Sequence, residues 1–119
     1  MSFSSLQSQT FVMREQGSAT RQLTEEYLKT HGLAVKSSLT VGSPEAVKRH
    51  VAAGLGWGFA SRASVIEEVA AGRLTIVPIE GWDCRRTFFA TYRTSHPLST
   101  CQKKFLQLAR SVEISYSSI

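Results

Sequence analysis

The chain has 119 residues, a length that suits one small domain. Hydrophobic residues make up 42% and charged residues 19%, close to globular averages, which argues against disorder and fibrous repeats. The net charge is +5, but the 14 basic residues are scattered rather than clustered, so the sequence does not indicate a surface that follows a nucleic-acid backbone. No run approaches the roughly 20 apolar residues of a membrane span, and no apolar leader marks secretion. The two cysteines match neither a metal nor a disulfide pattern, so we expect a reducing, cytoplasmic compartment.

The first third of the chain predicts a strand, a helix and a second strand. Residues 1–9 are serine-rich and aperiodic, which predicts a disordered leader. Residues 10–13 are typical of a short strand, and residues 18–31 have helical spacing that ends at Gly32. Residues 35–41 alternate apolar and polar side chains, which again indicates a strand.

The middle of the chain opens with a clear helix start. Ser43 suits an N-cap, Pro44 the first turn and Glu45 the positive end of the helix dipole, so we predict a helix from here to Gly54. A buried strand is predicted over residues 56–61.

The last elements are predicted from apolar spacing alone. Residues 62–71 predict a helix that turns Ile66, Val69 and Ala70 inward and ends at Gly72. Strands are predicted over 74–79 and 85–93. A final helix over 98–112 carries one apolar stripe of Leu98, Cys101, Phe105, Leu108 and Val112.

The resulting order, β-α-β-α-β-α-β-β-α, predicts an α/β domain with a mostly parallel sheet flanked by helices. In such a sheet the crossovers are right-handed and ligands bind off the carboxyl ends of the strands.

The sequence gives little support for catalysis. His31, His50 and His96 have no neighbouring acid and nucleophile in a recognisable pattern, so solvated or structural roles are expected. Cys84 precedes two arginines that could lower its thiol pKa, but it has no neighbouring base. We therefore predict no catalytic residues, no metal ligands and no cofactor.

Two stretches favour ligand binding instead. The first is the turn from the first strand into the first helix, where Gly17 permits a sharp bend and the amides around Ser18, Ala19 and Thr20 could form an anion seat. An ordinary capped turn would have the same sequence. Arg14 or Arg62 could add a charged contact to an anion bound there.

The second stretch runs from Gly54 to Arg62 and has three glycines in five residues. Such a stretch lets a ligand or another backbone approach closely, and Trp57 and Phe59 could line a cleft wall. Tight packing of helix on strand explains the glycines equally well.

Three segments in this order carry a resemblance: FVMREQGSATRQLTEEYL, then VGSPEAVKRHVAAGLGWGFASRASV, then GRLTIVPIEG. Together they resemble the effector-binding domain of LysR-type transcriptional regulators, over about residues 10–112. The resemblance implies a type 2 periplasmic-binding-protein fold, of which residues 10–95 would be the second lobe. It also implies that residues 96–114 form a helix that packs on the first lobe, followed by a frayed tail at 115–119.

On this resemblance, the effector contacts fall on residues of both stretches: Gly17, Ser18, Ala19, Thr20, Trp57, Gly58, Phe59, Ser61 and Arg62. Trp57 stands where the family usually has a smaller residue. The implied function is cytoplasmic sensing of a small, anionic metabolite by a homodimer or higher oligomer, not enzymatic turnover. DNA would be bound only through a winged helix-turn-helix outside this sequence, and no membrane is involved. Two alternatives remain open: a half-lobe of a periplasmic solute-binding protein, and an enzyme built on the same lobe architecture.

Overall fold

The computed structural model describes residues 1–112, apart from the side chains of Ser37 and Ser38. The chain divides into two compact units, the first spanning residues 1–85 and the second beginning at Arg86. The tail predicted at 115–119 lies outside the described residues. The first unit contains β1 (Thr10–Arg14), α1 (Ala19–Thr30), β2 (Lys36–Val41), α2 (Pro44–Ala52), β3 (Trp57–Gly58), α3 (Ile66–Ala70) and 3-10 helices at Phe3–Ser8 and Arg62–Val65. The second unit contains α4 (Thr100–Ser111).

The three strands form one sheet in the order β2-β1-β3, and both pairings are parallel. The pairing of β1 with β2 shifts by one residue between Phe11 and Val12. Each strand leads into a helix, so the strand-to-helix turns of the neighbouring strands lie at the same edge of the sheet. The predicted α/β architecture with a parallel, helix-flanked sheet is confirmed.

The helix starts follow the capping rules that predicted them. The Ser18 hydroxyl accepts a hydrogen bond from the Arg21 amide at 3.3 Å, and the Ser43 hydroxyl accepts one from the Ala46 amide at 3.1 Å. In α4, Ser99 and Gln102 form a reciprocal capping box.

The core of the first unit is centred on β1. Phe11 and Met13 are buried on one face of this strand, where they cluster with Leu6 and with Leu28 of α1. Val12 is fully buried and points to the opposite face, because side chains alternate along a strand. That face is covered by α2, whose Val47 is also buried. The sheet therefore carries helices on both faces.

Two glycines permit the close approach of β3 to its neighbours. A Cβ at Gly56, where φ is +151°, would lie 2.7 Å from the Thr10 carbonyl oxygen. A Cβ at Gly58 would lie 2.8 Å from Val47 Cγ1 and 2.9 Å from Val51 Cγ2. Of the two explanations for this glycine-rich stretch, tight packing accounts for both residues directly: Gly56 packs on the backbone of β1, and Gly58 packs on side chains of α2.

The start of the chain differs from the prediction of a disordered leader over residues 1–9. Phe3–Ser8 forms a 3-10 helix, and Leu6 is 1% exposed within the core cluster. Met1 also pairs with the segment around Glu80, whose amide donates to the Met1 carbonyl at 2.9 Å. The serine-rich composition of this segment gave no sign that Leu6 would be buried, and burial of this side chain stabilises the segment against the core.

The region after α2 is less regular than predicted. The strand expected over residues 56–61 is reduced to Trp57–Gly58. The expected helix over 62–71 begins as a 3-10 turn and becomes α-helical only at Ile66–Ala70. A 3-10 turn has three residues per turn rather than 3.6, which changes the side chains that face inward. Val65 is therefore buried, whereas Ile66 and Ala70, predicted to face inward, are exposed, and Val69 is half-buried.

The strands predicted over 74–79 and 85–93 are absent from the described structure. Both segments are apolar enough for strands, but neither enters a hydrogen-bonded ladder, and the described sheet ends at β3. Apolar alternation predicts which residues can join a sheet, but it does not provide the partner strand.

The final helix is confirmed, but its apolar stripe is not covered. Phe105 is 68% exposed, Leu108 63% and Val112 54%. Cys101 is exposed as well, and Leu98 is half-buried.

Candidate functional site

The two stretches predicted to bind a ligand follow neighbouring strands of the sheet. Gly17 and Ser18 lie between β1 and α1, Ala19 and Thr20 are the first two residues of α1, and Ser61–Arg62 follows β3. Because β1 and β3 are adjacent and parallel, both stretches lie beyond the same edge of the sheet. This is the edge at which α/β folds bind ligands.

The turn into α1 has the shape that an anion seat needs. Gly17 has a φ of +91°, a conformation that glycine adopts without strain. The Ser18 amide donates to the Glu15 carbonyl at 3.2 Å, and Ser18 is 6% exposed. Its hydroxyl accepts from the Arg21 amide, which uses only an acceptor position of the oxygen. Among its described contacts the hydroxyl proton is not used, so it can be donated to a bound anion.

Arg21 fixes this turn, a role that was not predicted from the sequence. Its Nη1 donates to the Arg14 carbonyl at 2.7 Å, and its Nε pairs with Glu25 Oε1 at 2.8 Å. The turn is thereby closed from the end of β1 to the second turn of α1. Nothing in local periodicity marks this contact, since it spans seven residues and depends on how the turn folds back.

Arg14 has a different role from the one expected for it. Its Nε and Nη2 donate to the two carboxylate oxygens of Glu15 at 2.9 and 2.8 Å. These hydrogen bonds hold the pKa of Glu15 down at about 2. The charge of Arg14 is therefore balanced by its neighbour, which weakens the prediction that Arg14 contacts an anion.

A cavity of about 680 Å³ runs along β3. Trp57, Gly58, Phe59 and Arg62, four of the predicted contacts, line it, whereas Ser61 and Gly17–Thr20 do not. The structure therefore brings the residues after β3 together around a cavity, but it does not place the β1–α1 turn in the same cavity. Its other lining residues are mainly apolar and include the core residues Leu6 and Phe11, residues of α2 and residues of the segment 74–82.

Aromatic rings form one wall of this cavity. Phe59 stacks on Phe11 with ring centroids 4.8 Å apart and on Trp82 with centroids 5.8 Å apart. Trp57 meets the edge of Phe11 at 6.5 Å. Trp82 was not predicted from the sequence, because this residue follows a glycine turn outside any periodic segment.

The histidines and Cys84, for which no catalytic role was predicted, have structural surroundings. Nδ1 of His31 lies 2.8 Å from the Tyr27 carbonyl, and Nδ1 of His50 lies 2.6 Å from the Ala46 carbonyl. Cys84 is 1% exposed, and burial, followed by the nearby Asp83 charge, raises its thiol pKa. The suggestion that the following arginines lower this pKa is therefore wrong. Within residues 1–112, no three His, Cys, Asp or Glu side chains come together as a metal site would require.

The helices of residues 1–112 include none with the length and apolar character needed to cross a bilayer. The fold is that of an α/β lobe in which the strand-to-helix turns gather at one edge of a parallel sheet, the edge at which ligands bind in folds of this class.

The chain belongs to the LysR substrate binding domain family, which matches residues 1–113. It is 36% identical over 97 residues to a RuBisCO operon transcriptional regulator of Acidithiobacillus ferrooxidans, covering 82% of this chain and 31% of that protein. It is 33% identical over 112 residues to the HTH-type transcriptional regulator CbbR of Rhodospirillum rubrum, covering 92% of this chain and 38% of that protein. The chain thus spans about a third of the length of these relatives.

A solved structure has the same fold. The Synechocystis PCC6803 CcmR regulatory domain in complex with 2-PG superposes with a TM-score of 0.83 at 29% identity, over 97% of this chain and 55% of that one. Together with the family match, this similarity confirms the predicted type 2 periplasmic-binding-protein-like lobe.

Proposed function

We propose that this chain is the effector-sensing part of a LysR-type transcriptional regulator. A small anionic metabolite would bind at the carboxyl edge of the sheet and change the population of regulator states that differ in DNA contact. The observation that carries the proposal is the similarity, over 97% of this chain, to a regulatory domain in complex with 2-PG. DNA would be bound through a winged helix-turn-helix elsewhere in the full regulator, which would act in the cytoplasm as a sensor and not as an enzyme.

The β1–α1 turn is the part of the site best suited to an anion. It combines a buried serine hydroxyl, Ser18, with the amino terminus of the 12-residue helix α1, whose dipole favours negative charge. We propose that Gly17, Ser18, Ala19 and Thr20 hold the charged group, while Ser61 and Arg62 approach it from the end of β3. Trp57, Gly58 and Phe59 would shape the adjoining wall. Residues 10–95 would be one lobe of the effector domain, so this chain supplies one side of a cleft.

A titration with 2-PG followed by amide NMR tests this proposal. We expect saturable shifts centred on Gly17–Thr20, with a millimolar or weaker dissociation constant, because one side of a cleft supplies only part of the contact surface. Ser18→Ala should weaken binding about tenfold, as expected for loss of a hydrogen bond to a charged group.

Ser99→Ala is the matched control. It also removes an N-cap serine, but from α4 in the second unit, so it should lower helix stability without changing the affinity for 2-PG. Shifts confined to residues outside the β1–α1 turn, or equal affinities of the wild type and Ser18→Ala, would contradict the assignment.

We also propose that the chain forms a dimer, in which α4 supplies the contact surface. Its exposed stripe of Phe105, Leu108 and Val112 supports this proposal. Burial of a large apolar side chain stabilises by about 1.5–3 kcal/mol, which favours an arrangement that covers the stripe. A two-fold symmetric dimer is expected. In the full regulator the predicted helix over residues 96–114 would also have the first lobe available to pack against.

A further inference from the structure

Lys48 is the most buried charged residue described in the first unit, and it lies in the middle of α2. It is 9% exposed, and three oxygens surround its ammonium group. Nζ lies 2.6 Å from Glu68 Oε1, 2.8 Å from Glu45 Oε1 and 3.0 Å from the Ser64 carbonyl oxygen. A lysine ammonium has three protons, so these contacts occupy all of its donors. Lys48 lines the cavity beside β3, but it has no proton left for a ligand.

The contact with Ser64 continues to the end of β3. The Ser64 amide and hydroxyl both donate to the Ser61 carbonyl, at 3.0 and 2.8 Å. Lys48 holds Ser64, and Ser64 in turn holds Ser61. This chain of hydrogen bonds connects α2 to the turn that carries Ser61 and Arg62.

The segment that Lys48 holds has little regular structure of its own. Arg62–Val65 is a single 3-10 turn, and α3 has only five residues. Helices this short are not stable by themselves in water. Val65 is the one residue of these two helices that is buried, so apolar packing fixes the segment at one point.

We propose that Lys48 is a positioning residue of the effector site. Its hydrogen bonds to Ser64 and Glu68 hold this segment against α2. The position of Ser61 and Arg62, which begin the segment, is thereby fixed. The inference rests on the proposed function, since it assumes that the turn after β3 contacts the effector. It assigns to Lys48 an effect on ligand affinity without contact between Lys48 and the ligand.

The charge state of the group agrees with this role. Hydrogen bonds to Glu45 and Glu68 raise the pKa of Lys48, and the hydrogen bond from Lys48 lowers the pKa of Glu68. Both partners are therefore charged at neutral pH. Removal of the ammonium would leave the Glu68 carboxylate, whose side chain is 19% exposed, without the cation that donates a hydrogen bond to it.

Lys48→Met and Lys48→Arg distinguish the effect of the Lys48 hydrogen bonds to Ser64 and Glu68 from the effect of side-chain bulk. Methionine keeps an unbranched apolar stem but donates no proton, whereas arginine restores both charge and donors. We expect Lys48→Met to speed amide exchange at residues 61–65 by about tenfold and to weaken 2-PG binding by about tenfold, the effect of losing the charged hydrogen bond to the Ser64 carbonyl. Lys48→Arg should restore both. Lys29→Met, at an exposed position of α1, is the control for loss of a lysine charge and should change neither.

Each outcome decides one of the two proposals. If wild-type chain binds 2-PG and Lys48→Met binds it equally well, the positioning role is wrong. If wild-type chain does not bind 2-PG, the proposed function fails. Unchanged amide exchange at residues 61–65 in Lys48→Met would independently show that the hydrogen bonds of Lys48 do not hold this segment. If Lys48→Met does not fold, Glu68→Met removes one of the three acceptors of the Lys48 ammonium, because methionine has no oxygen to accept its proton. Wild-type amide exchange at residues 61–65 and wild-type affinity for 2-PG in that variant would overturn the inference.

Discussion

The guanidinium of Arg21 donates to the backbone carbonyl of Arg14 at 2.7 Å, and this contact closes the turn between β1 and α1. The Arg21 side chain is only 11% exposed and is also paired with Glu25. The conformation of the predicted anion seat therefore depends on a side chain that does not belong to it.

Arg21→Met should destabilise the first unit by about 1.5–3 kcal/mol, because a partly buried carbonyl loses a charged hydrogen-bond donor. Urea unfolding followed by circular dichroism measures this difference. Arg49→Met, at an exposed position of α2, is the control and should change the free energy of unfolding by less than about 0.5 kcal/mol. Equal losses in the two variants would show that Arg21 does not stabilise the turn.

Gly58→Ala should destabilise the chain by about 1–3 kcal/mol, because the added Cβ would collide with Val47 and Val51 of α2. Gly42→Ala is the matched control. A Cβ at Gly42 has no atom within 4 Å, so its effect should stay within about 0.5 kcal/mol. Thermal unfolding of both variants distinguishes them, and a neutral Gly58→Ala would mean that β3 and α2 are not packed this closely.

Stability should fall as the pH is lowered from about 4.5 towards 2, and the Arg14–Glu15 pair should contribute to this fall. The pKa of Glu15 is lowered from its ordinary 4.5 to about 2 in the folded chain, so the unfolded chain binds the proton more readily in this window. The contribution is fully present above the unfolded pKa and is lost as the pH falls through the folded pKa.

Glu15→Gln removes this contribution, so its free energy of unfolding should be lower than wild type at pH 7 and should approach wild type near pH 2. Urea unfolding at a series of pH values measures the two curves. Arg14→Gln should flatten the same window, because it removes the donor that lowers the pKa of Glu15. Parallel curves for wild type and Glu15→Gln would contradict the prediction.

The proposed dimer predicts that Phe105→Glu abolishes association without loss of helix content, since Phe105 is 68% exposed within the chain. Light scattering over a concentration series should show the wild-type mass doubling and the variant remaining monomeric. Gln107→Glu adds the same charge about 200° away around α4 and should still dimerise. A wild-type chain that stays monomeric at high concentration would rule the dimer out.

Local signals in the sequence determined the architecture of the first half of the chain. Ser18 and Ser43 mark helix starts because their hydroxyls satisfy amides only three residues away. The strands at Thr10–Arg14 and Lys36–Val41 follow from apolar character and alternation, and the order of elements predicts a parallel sheet. The family resemblance also rests on these local segments.

Tertiary structure decided the features that depend on contacts between distant segments. Whether residues 74–79 become a strand depends on a partner edge, and whether residues 1–9 are ordered depends on a pocket for Leu6 in the core. The roles of Arg21 and Lys48 follow from carbonyl and carboxylate oxygens brought close by the fold, at separations of up to 20 residues. Periodicity reports which face of an element is apolar, but the partner that this face meets is set only when the whole chain has packed.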